Sequence, residues 1–203
     1  MKSQQNKLWF PFILLMTIFW TSCSKDDPVP ELDQEVITKV TLTFTEIDES
    51  GSKIGTALKY QASAMEGIAL GGNLNIDIIS GLQTGKRYLL EITAYNDIAD
   101  EDITVEIQEA GAEHQLYFLG SAFVGDQSFM NYEYDDEDQN GNPIGLKGIV
   151  TVDNSLKSNT GELRLVLRHD SNKEFEEAQN PHWGNFTQAG GESDLDITFE
   201  VTF

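Results

Sequence analysis

The sequence predicts an all-β protein, an immunoglobulin-like antiparallel β-sandwich with one or two short helices. Three observations predict it. Apolar and polar residues alternate with a period of two in run after run, the mark of half-buried strands. Gly, Asn and Asp clusters punctuate those runs, at Asp48-Glu49-Ser50-Gly51, Gly71-Gly72 and Gly190-Gly191. Between the runs no stretch has the length and periodicity of the crossover helices that a parallel α/β sheet needs.

The elements follow in chain order. Lys2 and Lys7 give a basic start, Leu8 to Trp20 (LWFPFILLMTIFW) is almost wholly apolar, and Thr21 and Ser22 are small residues before Cys23. Basic, then apolar, then small is the order of an export signal. The apolar run contains Pro11 and falls short of the roughly 20 residues that span a bilayer. Residues 1–22 are therefore expected to be a cleaved lipoprotein signal peptide. Cys23 is the only cysteine, so it has no internal disulfide partner in an oxidising compartment. It is expected to carry a thioether-linked lipid as the first residue of the mature chain, with fatty acyl (palmitate-type) chains anchoring the protein to the membrane at roughly 0.8 kcal/mol per buried methylene. Trp20 stands where bacterial lipobox sequences usually have Leu. Residues 23–35 read as a lipidated acidic tether. Within it Ser24-Lys25-Asp26-Asp27 is similar to the surface-export signal of Bacteroidetes lipoproteins. The expected location is the outer membrane, lipid-anchored and facing the medium.

Residues 36–203 are expected to form the sandwich. Val40, Leu42 and Phe44 alternate with Thr41, Thr43 and Thr45, and Leu74, Ile76 and Ile78 alternate with Asn73, Asn75 and Asp77. Tyr88, Leu90, Ile92 and Ala94 keep the period, as do Leu163, Leu165 and Leu167, then Ile197, Phe199, Val201 and Phe203. Leu82-x-x-Gly85-x-x-Tyr88 matches the corner before a central strand of immunoglobulin-type sandwiches, where a Tyr hydroxyl bonds to upstream backbone. Thr104 to Glu113 (TVEIQEAGAE) breaks the rhythm: Thr104 reads as a helix cap, acidic residues fill the first turns, and Gly111 weakens the helix by about 1 kcal/mol. A short helix or irregular turn is expected there, leading into a strand at 114–119. Residues 172–179, also acidic, are a second candidate for a short helix.

Charge narrows the function classes. Of 13 basic residues, Lys2 and Lys7 lie in the signal, so the mature chain sets 11 against 34 acids, a net charge of −23. Such a surface repels nucleic acid, which is excluded as a partner, and favours cations or a basic partner. No G-x-S-x-G elbow, P-loop or H-E-x-x-H is present, and no free thiol remains to act as nucleophile, so no enzyme is expected and no catalytic residue is assigned.

The residues able to bind something are few. His114 opens a strand just after Glu106, Glu109 and Glu113, and His169 ends one in phase with Leu163, Leu165 and Leu167. His114, His169, Glu109 and Glu113 thus form a candidate Zn²⁺ or Cu²⁺ ligand set, brought together only by the fold because no H-x-H or H-x-x-x-H spacing exists. The competing account is a pair of hydrogen-bonded structural histidines. Asp136, Asp138, Asn140 and Gly141 match the first, third, fifth and sixth places of a calcium loop, but its twelfth place is Lys147. A standard EF-hand is excluded. The loop reads as a solvated turn, with irregular calcium binding at Asp136, Asp138 and Asn140 as the alternative. No cofactor is expected, a divalent metal being the alternative these residues admit. Gly190-Gly191-Glu192-Ser193-Asp194 reads as a tight turn, and Trp183 as a packing aromatic.

Several phrases coincide beyond this: Glu106-Ile107-Gln108-Glu109, Glu113-His114-Gln115-Leu116-Tyr117-Phe118, Asn142-Pro143-Ile144-Gly145, Leu167-Arg168-His169 and Gly190-Gly191-Glu192-Ser193-Asp194. Together they resemble a family of small Flavobacteria-type lipoproteins of uncharacterised function, whose members show E-I-x-E-E, E-H-Q-x-F-Y, N-P-I-G, L-R-H and G-G-E-T-D in this order. The chain departs from that pattern at Ala110-Gly111 and at Ser193. Members are often labelled "type 1 periplasmic binding fold superfamily protein", but this chain is too short and strand-rich for a bilobed sugar binder. The export signal, the strand pattern and the absent catalytic motifs point to a non-enzymatic binding or accessory module at the cell surface, and the resemblance implies a TonB-dependent outer-membrane receptor as its partner. Two alternatives stand beside it: divalent-metal capture, and a structural or adhesive envelope domain.

Overall fold

A computed structural model describes residues 36–70 and 73–203; the expected signal peptide, Cys23 and the tether lie outside the described residues. The strands are β1 (Lys39–Ile47), β2 (Leu58–Ser63), β3 (Asn75–Ile76), β4 (Arg87–Tyr95), β5 (His114–Leu119), β6 (Met130–Tyr134), β7 (Lys147–Val152), β8 (Thr160–His169) and β9 (Glu192–Thr202). One helix, α1 (Ile103–Glu109), sits between β4 and β5, and a short 3₁₀ turn, Phe186–Ala189, precedes β9. Two antiparallel sheets result, ordered β3-β2-β1-β4-β7-β6 and β5-β8-β9. The all-β sandwich expected from the alternation is what forms.

The alternating residues fill the space between the sheets. Val40, Leu42 and Phe44 on β1 and Tyr88, Leu90, Ile92 and Ala94 on β4 meet Leu163, Leu165 and Leu167 on β8 and Ile197, Phe199 and Val201 on β9 in one apolar core. Burial of such side chains contributes roughly 1.5–3 kcal/mol each. The corner forms as well: the Gln83 N–H donates to the Tyr88 hydroxyl at 2.9 Å.

β5 departs from the alternation because every one of its residues is buried. Leu116 and Phe118 face the main core, whereas Tyr117 and Leu119 join Val166, Ala178, Trp183, Phe186 and Ala189 in a second cluster. The chain from 171 to 190 thus covers the outer face of the smaller sheet, which explains the continuous apolar run in the sequence. Trp183 packs against Phe175 and Tyr117, as a core aromatic.

The same covering segment closes the free edge of β5. The Phe118 N–H donates to Pro181 O at 2.7 Å and His182 Nδ1 bonds Phe118 O at 2.7 Å. Two residues earlier, the Leu116 N–H donates to Ile144 O, and the Tyr134 hydroxyl donates to Leu116 O. At the opposite margin the sheets are stitched through Ile79, whose N–H donates to Glu200 O and whose carbonyl accepts from Thr202 N–H.

Three expectations are corrected. The 73–78 alternation yields only the two-residue β3; Leu74 and Ile78 are 43% and 52% exposed, and the buried residue is Ile79, pulled in by its bridge to β9. Asp102, not Thr104, caps α1, accepting from the Thr104 N–H; the Thr104 hydroxyl instead bonds the Ala94 backbone. Residues 172–179 form successive turns, not a helix, because their aromatic and small residues are spent on covering the outer face.

Candidate functional site

His114 and His169 stand directly opposite each other on the β5–β8 ladder. Residues so paired project on the same face, and here the two rings stack with centroids 4.5 Å apart and planes at 23°. The third member comes from β9. Leu167 pairs with Leu195, yet Arg168 pairs with Ser193 and His169 with Glu192, so the ladder passes over Asp194. A bulge of this kind inserts one unpaired residue and re-aims its side chain. Asp194 is thereby buried, with Oδ2 lying 3.5 Å from His169 Nδ1 and 3.9 Å from His114 Nε2.

Several contacts fix this arrangement. His114 Nδ1 lies 3.1 Å from the Ala110 carbonyl, the residue that ends α1. That contact places the hydrogen on Nδ1 and the lone pair on Nε2, toward Asp194. On the outer face Arg168 donates to the Gly190 and Gly191 carbonyls and to the Ser193 hydroxyl, each at 2.6 Å, and clamps the turn that delivers Asp194. Gly191 has φ +71°, and a Cβ there would fall 2.1 Å from His169 O, so only glycine fits. The expected tight turn is present.

Electrostatically the cluster sets two imidazoles beside one buried carboxylate. Burial pushes the Asp194 carboxyl up, and its Oδ2 accepts no hydrogen bond. Burial likewise pushes the His114 imidazole down, against the opposing hydrogen bond to Ala110 O. His114, His169 and Asp194 each offer a ligand atom, all within 4.8 Å of one another. In a tetrahedral zinc site with bonds of about 2.0–2.1 Å the ligand atoms are roughly 3.3 Å apart, close to the 3.5 Å and 3.9 Å that separate Asp194 Oδ2 from the two rings. A second group, Glu113, His169 and Asp170, meets the same criterion on the exposed side.

The expected ligands therefore divide. His114, His169 and Glu113 are brought together; Glu109 falls outside both groups, on the wall of a cavity of about 530 Å³ that it shares with Gln108, Asp136 and Lys147. Glu109 lies on α1 away from its buried face, which carries Ile103 and Ile107. Asp194 and Asp170 were not anticipated.

The calcium-like loop is occupied by the protein itself. Asp136 accepts from the Gly145 and Lys147 N–H groups, and Asp138 Oδ1 accepts from the Asn140 and Asn142 N–H groups. Asp138 Oδ2 holds the buried Lys173 ammonium group at 2.9 Å. Burial raises the Asp138 carboxyl, but Lys173 and the two amides outweigh it and hold the group below its usual range. The cation that Asp138 holds is thus the Lys173 ammonium group, and Asp136 is engaged by backbone amides.

His182, the third histidine, closes an edge. It bonds Phe118 O through Nδ1, accepts the Tyr132 N–H through Nε2 at 3.3 Å, and stacks on Phe123. Burial pushes it down, which fits a neutral ring with one donor and one acceptor. Comparison of the chain with protein-family models, with curated proteins and with solved structures finds no match.

Proposed function

We propose that this chain is a non-enzymatic, lipid-anchored surface module that captures a borderline divalent cation, Zn²⁺ or Cu²⁺, at His114, His169 and Asp194. One observation carries the proposal. Two imidazoles and a buried, hydrogen-bond-free carboxylate oxygen converge from three neighbouring strands, with a backbone carbonyl orienting one ring. Two nitrogens and one oxygen suit a borderline ion and leave a fourth position open, as capture and release require. The acidic surface adds to this by concentrating cations near the chain. The test is calorimetry on the mature chain in detergent with Zn²⁺, Cu²⁺ and Ca²⁺. Saturable binding of one Zn²⁺ or Cu²⁺, lost in His114→Ala, is expected; heats that never saturate would end the proposal.

The lipid anchor and surface location rest on Lys2 to Asp27, and intact-mass measurement of the mature chain tests them. A captured ion needs somewhere to go, and an outer-membrane uptake receptor is the partner this reading assigns. Exposed Met65 and Ile98, which share one cavity wall beside Thr38, offer such a partner apolar surface. Co-purification of a receptor from crosslinked cells tests the partnership.

A further inference from the structure

His169 has carboxylates at both ends of its ring. Nδ1 faces Asp194 at 3.5 Å, inside the sandwich, whereas Nε2 faces Glu113 at 3.7 Å and Asp170 at 3.8 Å, at the surface. The inner carboxylate is 2% exposed; Glu113 and Asp170 are 59% and 42% exposed. The exposed pair is held in register by a hydrogen bond from the Asp170 N–H to Glu113 O at 2.8 Å.

We infer that Glu113, His169 and Asp170 form an outer, loading station for the cation, which alternates with the inner station because both depend on the single imidazole of His169. The inference rests on the metal reading above. A neutral imidazole has one lone pair and one N–H. With the ion on Nε2, the Nδ1–H points at Asp194 and compensates that buried carboxylate. With the ion on Nδ1, the hydrogen sits on Nε2 and points at Glu113 and Asp170, the carboxylate–histidine–metal arrangement that orients a ligand. Passage inward exchanges one proton from Nδ1 to Nε2 of the same ring as the ion moves the opposite way, with no net change. Each state thus uses the carboxylates of the other as hydrogen-bond acceptors. The outer station is open to the medium and the inner one is not, so the ion is taken up at the surface and retained beneath it.

Stopped-flow mixing of the mature chain with Zn²⁺, and Co²⁺ absorption as a report of coordination number, test this. The wild-type chain is expected to hold one ion. Glu113→Gln combined with Asp170→Asn is expected to load about tenfold more slowly with little change in final affinity, beyond what the like-charged control Glu109→Gln combined with Glu192→Gln shows. Asp194→Asn is expected to keep one ion at the outer station, on the order of 100-fold more weakly, with the faint Co²⁺ spectrum of a five- or six-coordinate ion. Two ions bound together, unchanged loading in the outer double variant, or no binding at all in Asp194→Asn would each overturn the alternating pair while leaving the inner site standing. No binding by the wild-type chain would remove both.

Discussion

Lys173 buries its ammonium group against the Asp138 carboxylate at 2.9 Å, with both side chains at 3% exposure or less. Lys173 also donates to Gly111 O at 2.7 Å, so one cation ties the 135–147 loop to the segment that leads into β5. Removing one partner of such a pair strands a buried charge. Lys173→Met is expected to lower unfolding free energy by about 3–5 kcal/mol, measured by urea denaturation. Lys173→Met with Asp138→Asn should recover part of that loss, because the orphaned charge is gone. Equal loss in both variants would show that packing, not charge, dominates there.

Asp194 gives the opposite sign. Its carboxylate is buried without a hydrogen bond to Oδ2, so Asp194→Asn is expected to leave the metal-free chain no less stable than wild type. With Zn²⁺ present the wild-type chain is expected to gain stability as RT ln(1 + [L]/Kd), about 2.7 kcal/mol at 100-fold excess over Kd, and the variant much less. Thermal melts with and without Zn²⁺ measure both.

Gly191 makes a separate point about positioning. Alanine there must relieve both a left-handed φ and a Cβ seated on His169 O. Gly191→Ala is expected to weaken Zn²⁺ binding although residue 191 offers no ligand, because the turn that sets the bulge has to move. Calorimetry giving wild-type affinity in a folded Gly191→Ala chain would contradict this.

His182 sets a pH dependence. Burial places its folded-state pKa below the ordinary 6.5, so the unfolded chain binds the extra proton more readily. Its contribution to stability is then complete above pH 6.5 and is lost as pH falls from there toward the folded pKa, since protonation of Nε2 expels the Tyr132 N–H. His114 is shifted the same way and adds to the slope. Denaturation midpoints from pH 7.5 to 5 (about two units around the imidazole range) should fall for wild type and fall less steeply for His182→Gln.

The corner predicts a smaller effect. Tyr88→Phe removes the acceptor of the Gln83 N–H, and a loss of about 1–2 kcal/mol in chemical denaturation is expected with the fold unchanged.

Much of this was legible in the residues. Alternation located β1, β4, β8 and β9, because each of these strands has one face on the core, and Leu82-x-x-Gly85-x-x-Tyr88 located the corner. It misplaced 73–78, where a bridge from Ile79 to β9 decides which residue turns inward. At the site, His114 and His169 were legible as strand ends, and Glu113 as the neighbour of one. Asp194 was not, because it is buried by a bulge, which strict period-two reading cannot represent. Glu109 was included for its closeness in sequence, but a helix of 7 residues carried its side chain to another wall. Lys173 was invisible for a related reason, since a lysine is buried only when a distant carboxylate meets it.

The closed margin of β5 has a consequence for recognition. Main-chain groups along a strand edge invite a foreign strand to add on, and that route serves many peptide-binding proteins as well as aggregation. Here the outward amides and carbonyls of Leu116 and Phe118 are already engaged by Ile144, Tyr134, Pro181 and His182. A protein that docks along this margin must therefore read side chains by shape and charge, and a neighbouring chain finds no template there for sheet extension.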